Sequence, residues 1–212
     1  MAEQAFVHIV DDDASLRLAL DSLFRSVQLG TRMYGSAQEF FQAQRPDAPS
    51  CLVLDIRLPG ISGLDLQQQL AAAQVQIPVV LMTGHGDIPM SVRGMKAGAV
   101  DFLTKPFRDQ DMLDAVTQAI EKDRARRAAE CGSAHLHQKF ETLSPRERQV
   151  MALVTAGRMN KQVAGDLELS EITVKIHRGA AMRKMGARSL ADLVRMAEAL
   201  QLKPELPGKS SH

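Results

Sequence analysis

The sequence predicts an α/β domain with a five-stranded, parallel, doubly wound sheet, followed by a smaller all-α domain. Three observations carry that prediction. In the first 120 residues, short apolar runs alternate five times with segments whose apolar side chains recur at helical spacing, the signature of parallel strands joined by crossover helices. Beyond residue 140 the strand-like runs stop and helix-capping signals take over. Charge divides at the same place: residues 1–122 carry 15 acidic and 10 basic side chains, whereas residues 140–212 carry 8 and 12. A basic rear half suits a polyanionic partner.

The first run, Phe6 to Val10, breaks into Asp11-Asp12-Asp13. Adjacent carboxylates at the end of a buried strand repel one another and call for a cation, although Asp13 by itself reads as the N-cap of the following helix. Leu16, Leu20, Leu23, Phe24 and Val27 recur at helical spacing, and Gly30 closes that helix. A strand near Thr31 to Tyr34 and a helix near Ser36 to Ala43 follow. The run Cys51 to Ile56, bounded by Pro59 and Gly60, reads as a buried central strand that carries Asp55 to its C-terminal end. A helix is expected near Leu64 to Ala73, a fourth strand over Pro78 to Thr83, a helix near Ile88 to Ala97, a fifth strand over Asp101 to Thr104 and a last helix near Asp109 to Ile120. Parallel strands bring Asp11, Asp12, Asp55, Thr83 and Lys105 to one edge, where open α/β sheets place their chemistry. Oxygen ligands select a hard cation such as Mg²⁺, the ammonium and hydroxyl suit phosphoryl oxygens, and Asp55 is placed as a nucleophile that accepts a phosphoryl group. His85, in a Gly-His-Gly loop, is weighed as a base and set aside.

These residues resemble a bacterial receiver domain, flavodoxin-like in fold, over residues 5–120. The resemblance implies that a partner histidine kinase phosphorylates Asp55, that Asp11, Asp12, Asp55 and the Arg57 backbone carbonyl hold Mg²⁺, and that Thr83, Lys105 and the aromatic Phe102 stabilise the phosphoryl group and relay its arrival. The relay would reach the face formed by the fourth helix, fifth strand and fifth helix, and drive homodimerisation.

Residues 123–139 read as a linker. It holds Arg124, Arg126 and Arg127, and Gly132-Ser133 are expected to interrupt any extension of the preceding helix. Then Ser144-Pro145-Arg146-Glu147 combines an N-cap, a first-turn Pro and a capping-box Glu. Helices are expected to about Ala156, over Lys161 to Leu167, from the Ser170 cap to Met185 before Gly186, and from the Ser189 cap to about Leu200; a tight turn between the second and third spells helix-turn-helix. At about 100° per residue, Val174, His177, Ala181 and Met185 share the packing arc of the third helix, with His177 expected to be buried. Lys175, Ile176, Gly179, Met182 and Arg183 share the opposite arc, suited to base edges, and Lys161, Arg178, Lys184 and Arg188 flank it for phosphates.

Residues 140–200 are similar to the LuxR-type helix-turn-helix domain, through Leu143-Ser144-Pro145-Arg146-Glu147-Arg148, Asn160-Lys161-Gln162-Val163-Ala164, Thr173-Val174-Lys175 and Arg183-Lys184-Met185-Gly186. Ala181 departs from the larger aliphatic residue frequent there. The whole order resembles NarL/FixJ response regulators, with Gly84-His85-Gly86-Asp87 and Lys105-Pro106-Phe107 pointing to the FixJ branch. The expected organisation is a receiver over 1–122, a linker over 123–139, a DNA-binding domain over 140–202 and a flexible tail over 203–212. What the resemblance implies is a non-enzymatic, cytoplasmic transcription factor acting on double-stranded promoter DNA and RNA polymerase. Two alternatives stand beside it: a phosphorylation-independent DNA-binding protein with a receiver-like dimerisation module, and a Mg-dependent phosphohydrolase. No apolar run is long enough for a bilayer and no secretory signal is present, so no membrane association is expected. With only Cys51 and Cys131, no disulfide framework is expected either.

Overall fold

The computed structural model describes residues 4–84 and 88–203. His85, Gly86 and Asp87, and the tail from Pro204 onward, lie outside the described residues. The chain forms two compact units, residues 1–127 and 128–212.

In the first unit, β1 (Phe6–Val10), β2 (Gly30–Tyr34), β3 (Ser50–Asp55), β4 (Val79–Thr83) and β5 (Asp101–Thr104) form one sheet in the order β2-β1-β3-β4-β5. Every pairing is parallel. The central strand β3 is buried along its whole length, as its unbroken apolar run requires. The intervening helices are α1 (Ala14–Ser26), α2 (Ala37–Gln42), α3 (Gly63–Ala72), α4 (Ile88–Lys96) and α5 (Asp109–Glu141). Period-two alternation splits the core into two layers. Val7, Ile9, Cys51 and Val53 face Leu20 and Phe24 of α1 and Met112, Val116 and Ile120 of α5. Val10, Leu52 and Leu54 face Phe40 of α2 and Leu64, Leu66 and Leu70 of α3.

Local chemistry sets the helix starts. Asp13 N-caps α1, accepting from the Ser15 and Leu16 amides at 2.8 and 3.2 Å. Ser36 and Ser62 cap α2 and α3 in the same way. Gly63, the first residue of α3, meets β3 with no room to spare: a Cβ there would lie 2.3 Å from the Asp55 carbonyl oxygen and 2.9 Å from Ile56 Cα.

One expectation is corrected here. Gly132 and Ser133 do not interrupt the last receiver helix, which continues to Glu141. A helical Gly costs only about 1 kcal/mol relative to Ala, and the surrounding alanines, arginines and glutamates are strong helix formers.

In the second unit, α6 (Pro145–Thr155), α7 (Asn160–Leu167), α8 (Glu171–Met185) and α9 (Leu190–Ala199) enclose a core of Leu143, Val150, Met151, Val163, Leu167, Val174, Ala181, Met185 and Leu193, with Leu136 and Phe140 of α5 packed against it. Ser144 and Glu147 complete the capping box of α6. Between α7 and α8, Glu168 adopts a left-handed conformation at φ 56°, and Leu169 donates its amide to Ala164 O at 2.9 Å, which closes the tight turn. Ser170 caps α8, and Gly186 at φ 76° ends it.

Candidate functional site

At the C-terminal edge of the sheet, Asp11 follows β1, Asp55 ends β3, Thr83 ends β4 and Lys105 follows β5. The pairing registers Val10 with Leu54, Asp55 with Met82 and Thr83 with Thr104, which brings the four strand ends level. Lys105 Nζ donates to Asp11 Oδ2 at 2.7 Å and to Asp55 Oδ2 at 2.6 Å. One ammonium thus bridges two carboxylates that lie 44 positions apart in the chain. Asp11 and Asp55 are buried, Asp12 is exposed, and their nearest oxygens all fall within 4.8 Å of one another. The Lys105–Pro106 peptide bond is cis.

The electrostatics follow from burial. Desolvation raises the pKa of Asp11, against the hydrogen bonds from Lys105 and the Asp13 amide that favour its anion. For Lys105, burial acts to lower the pKa, but the hydrogen bonds to Asp11 and Asp55 outweigh it, so the ammonium is held charged. The Arg57 amide donates to Asp55 Oδ1 at 3.0 Å, folding the β3–α3 loop back over the acid. Thr83 is buried behind the cluster. Phe102, one strand further out, keeps 38% of its surface exposed, with Val92 at 49% and Met95 at 40% on the neighbouring α4.

The second unit carries a different surface. On α8, Lys175, Ile176 and Arg183 are exposed, and Arg178 and Gly179 are half-buried. Arg178 Nη1 donates to Asn160 Oδ1 at 3.2 Å, tying α8 to the start of α7 beside the exposed Lys161. Ile172 is 71% exposed one turn before Ile176, itself 62% exposed; the i, i+4 spacing is the sequence signal that places Ile172 beside Ile176 on this face.

Three details depart from expectation. His177 is half-buried rather than buried, and Met182 packs partly against the core. By helical projection they flank the Val174–Ala181–Met185 stripe on opposite sides, at about 60° and 80° from Val174, so each is a margin residue. Lys184 is exposed yet already engaged, donating to Glu147 Oε2 at 2.7 Å and to Thr142 O at 3.2 Å. Its hydrogen bond, with that from the Ser144 amide, holds the Glu147 carboxyl below the usual range.

A switch-type acidic edge on a β2-β1-β3-β4-β5 sheet, followed by a four-helix unit with helix-turn-helix geometry, defines a class: DNA-binding response regulators of two-component systems. Comparison with known proteins agrees. Residues 7–117 match the response regulator receiver domain, and residues 141–197 match the bacterial regulatory proteins of the luxR family. Nodulation protein W of Bradyrhizobium diazoefficiens is 61% identical over 197 residues, spanning 93% of this chain and 87% of that protein. The transcriptional regulatory protein FixJ of Rhizobium meliloti is 43% identical, over 90% of this chain and 94% of its own. Among solved structures, the response regulator StyR superposes with a TM-score of 0.82 at 47% identity, covering 92% of this chain and 98% of that one. The chain belongs to the FixJ-like branch of the NarL/FixJ response regulators.

Proposed function

We propose that Asp55 is the phosphoacceptor through which a sensor histidine kinase controls DNA binding by this protein. The observation that carries this reading is Lys105 Nζ held between Asp11 and Asp55: a half-buried cation stands ready where a phosphoryl group bonded to Asp55 would place new negative oxygens. On transfer, a carboxylate oxygen of Asp55 attacks phosphorus, the donor leaves with its electron pair, and an acyl phosphate forms. Lys105 then exchanges its bond to Asp55 for one to a phosphoryl oxygen. An all-oxygen set with one buried and one exposed aspartate beside Asp55 suits a hard divalent cation. Asp11, Asp12, Asp55 and the Arg57 carbonyl would hold Mg²⁺, which would supply positive charge to the transferring phosphoryl group.

The Thr83 hydroxyl and the Phe102 ring carry the change toward α4 and β5, where Val92, Met95 and Phe102 form an exposed apolar group suited to dimerisation. In the second unit, Lys175, Ile176, Gly179 and Arg183 meet base edges, Lys161 and Arg178 meet phosphates, and Ile172 joins Ile176 in contact with thymine methyls. Met182 and Lys184 serve this surface chiefly by holding α8 in place. The organisation follows as a receiver over 1–122, a connecting segment over 123–139 and a DNA-binding domain over 140–202. The protein acts in the cytoplasm, where kinase, promoter and RNA polymerase meet, and it has no enzymatic turnover of its own.

The test compares the wild type with Asp55→Asn, each with Mg²⁺ and with or without acetyl phosphate. The wild type should gain mass toward a dimer and bind promoter DNA more tightly only with the donor, and Asp55→Asn should do neither. Equal phosphate incorporation by the two proteins refutes the assignment. Sustained release of phosphate from unrelated phosphoesters points instead to a hydrolase.

A further inference from the structure

The sheet edge opposite the acidic cluster holds a second concentration of charge. Here the loops before β3 and β4, the first residue of β3 and residues 123–127 of α5 surround a cleft of about 160 Å³. At about 30 Å³ per water that is room for roughly five waters, or for one small polyatomic ion with part of its hydration shell. Three guanidinium groups, from Arg45, Arg126 and Arg127, line it against a single carboxylate, Asp123.

That carboxylate is already saturated. Asp123 Oδ1 accepts from Arg126 Nε and Nη2 at 3.1 and 2.6 Å, and Oδ2 accepts from the Ser50 amide at 2.9 Å and from Arg127 Nε at 3.0 Å. Arg127 is paired a second time, its Nη1 donating to Asp47 Oδ1 at 2.6 Å, so the positive charge that the cleft offers is that of Arg45. Arg45 pairs with no carboxylate among the described residues; its guanidinium lies 5.3 Å over the Phe40 ring.

The deeper observation is His8. It is fully buried in the middle of β1, yet it lines this cleft, and its Nε2 has no hydrogen-bond partner. Its ring is held between Tyr34, stacked at 5.9 Å, and Phe40, edge-on at 5.7 Å, and Nδ1 lies 3.1 Å from Tyr34 Oη. When the tyrosine hydroxyl donates to Nδ1, the single proton of the neutral ring resides on Nε2, which makes it a donor on a side chain that lines the cleft. A buried polar nitrogen with nothing to bond costs free energy, and a protein that maintains one beside unpaired positive charge has a ready place for an acceptor.

We propose that this cleft binds a small tetrahedral oxyanion of the phosphate type, with Arg45 as its charged anchor and His8 Nε2 as its buried donor. Donors that converge from separate elements suit a tetrahedral oxyanion better than a planar carboxylate, for which one guanidinium fork suffices. The occupant would link the loops before β3 and β4 to the end of the receiver part of α5. It is distinct from the phosphoryl group on Asp55, which occupies the other edge of the sheet. Free inorganic phosphate and the phosphate of a small monoester share this chemistry.

The test uses the full chain bearing Asp55→Asn, so that no chemistry occurs at the acidic edge, and follows amide and His8 ring resonances during titration with inorganic phosphate or glycerol phosphate at constant ionic strength. Saturable shifts at Ser50, Gln76 and Arg126, with a dissociation constant near or below about 1 mM, support the site. Arg45→Ala, at an exposed loop position, should weaken them at least about tenfold. His8→Phe should weaken them as well, while Arg45→Lys should restore part of the affinity. The tighter of the two ligands identifies the source. Linear shifts that never saturate, saturation confined to residues around Asp11, or equal affinity in Arg45→Ala each overturn the proposal and leave the cleft as a solvent-filled groove.

Discussion

Gly63→Ala is the sharpest probe of how the fold positions Asp55. The new methyl would sit 2.3 Å from the Asp55 carbonyl oxygen and 2.9 Å from Ile56 Cα, and both obstacles are backbone atoms. No rotamer can relieve such a contact, so the start of α3 and the end of β3 must separate by roughly 1 Å to reach ordinary van der Waals distance. Overpacking of this kind costs about 1–3 kcal/mol, and the gain in helix propensity from Gly to Ala offsets at most about 1 kcal/mol. The net expectation is a loss of about 1–2 kcal/mol in receiver stability, together with a displaced Asp55 and slower phosphorylation. Urea unfolding followed by far-UV circular dichroism measures the first, and phosphate incorporation from acetyl phosphate measures the second. A variant that matches the wild type in both midpoint and rate would refute the claim that this glycine sets the position of the acid.

Other outcomes follow from the charges. Burial, assisted by Arg45 and Arg32, pushes the His8 pKa from 6.5 down to about 4. The unfolded chain thus takes up this proton first, so the contribution is fully present above about pH 6.5 and is lost as pH falls toward 4, amounting to about 3 kcal/mol across that window. The urea midpoint of the wild type should fall more steeply between those pH values than that of His8→Gln, and parallel slopes would contradict the burial argument. In the second unit, Lys184→Met should cost about 0.5–1 kcal/mol, because Lys184 is partly exposed and the Glu147 carboxylate keeps the Ser144 amide after losing its ammonium partner. Because the folded pKa of Glu147 is depressed, that stabilisation exists above the usual carboxylate range and disappears as pH falls through the folded value; a Lys184→Met domain melting with wild-type pH dependence would count against the pair. Lys161→Ala, at the exposed start of α7, should weaken promoter binding and reduce the slope of log affinity against log salt by about 1, as measured by fluorescence anisotropy.

The receiver was legible in the sequence because its strands are buried on both faces and read as plain apolar runs, each ending in a chemically distinct residue. The sequence alone therefore places Asp11, Asp55, Thr83 and Lys105 on one edge of the sheet. The continuation of α5 was harder. Residues 121–141 carry no apolar stripe to announce a helix, and Gly132 suggested a stop, whereas their high intrinsic propensity carries the helix through. The pairing of Lys184 with Glu147 is hidden in the sequence because the two stand 37 residues apart and Glu147 reads as a capping residue. The basic cleft was illegible for a related reason. His8 sits inside an apolar strand, and Arg45 and Arg127 in segments that read as ordinary loop and linker, so only the folded sheet brings them together.

The order of the strands has a consequence for when this protein can receive a signal. Asp11 and Asp55 come together once β1 pairs with β3, but Lys105 arrives only when β5 adds to the far side of β4. A chain emerging from the ribosome, or one whose edge strand has come loose, holds Asp11 and Asp55 without the ammonium that bridges them. If Asp55 is the acceptor proposed above, competence to be phosphorylated is a property of the finished sheet, and a kinase that charges it would also certify that its target has folded.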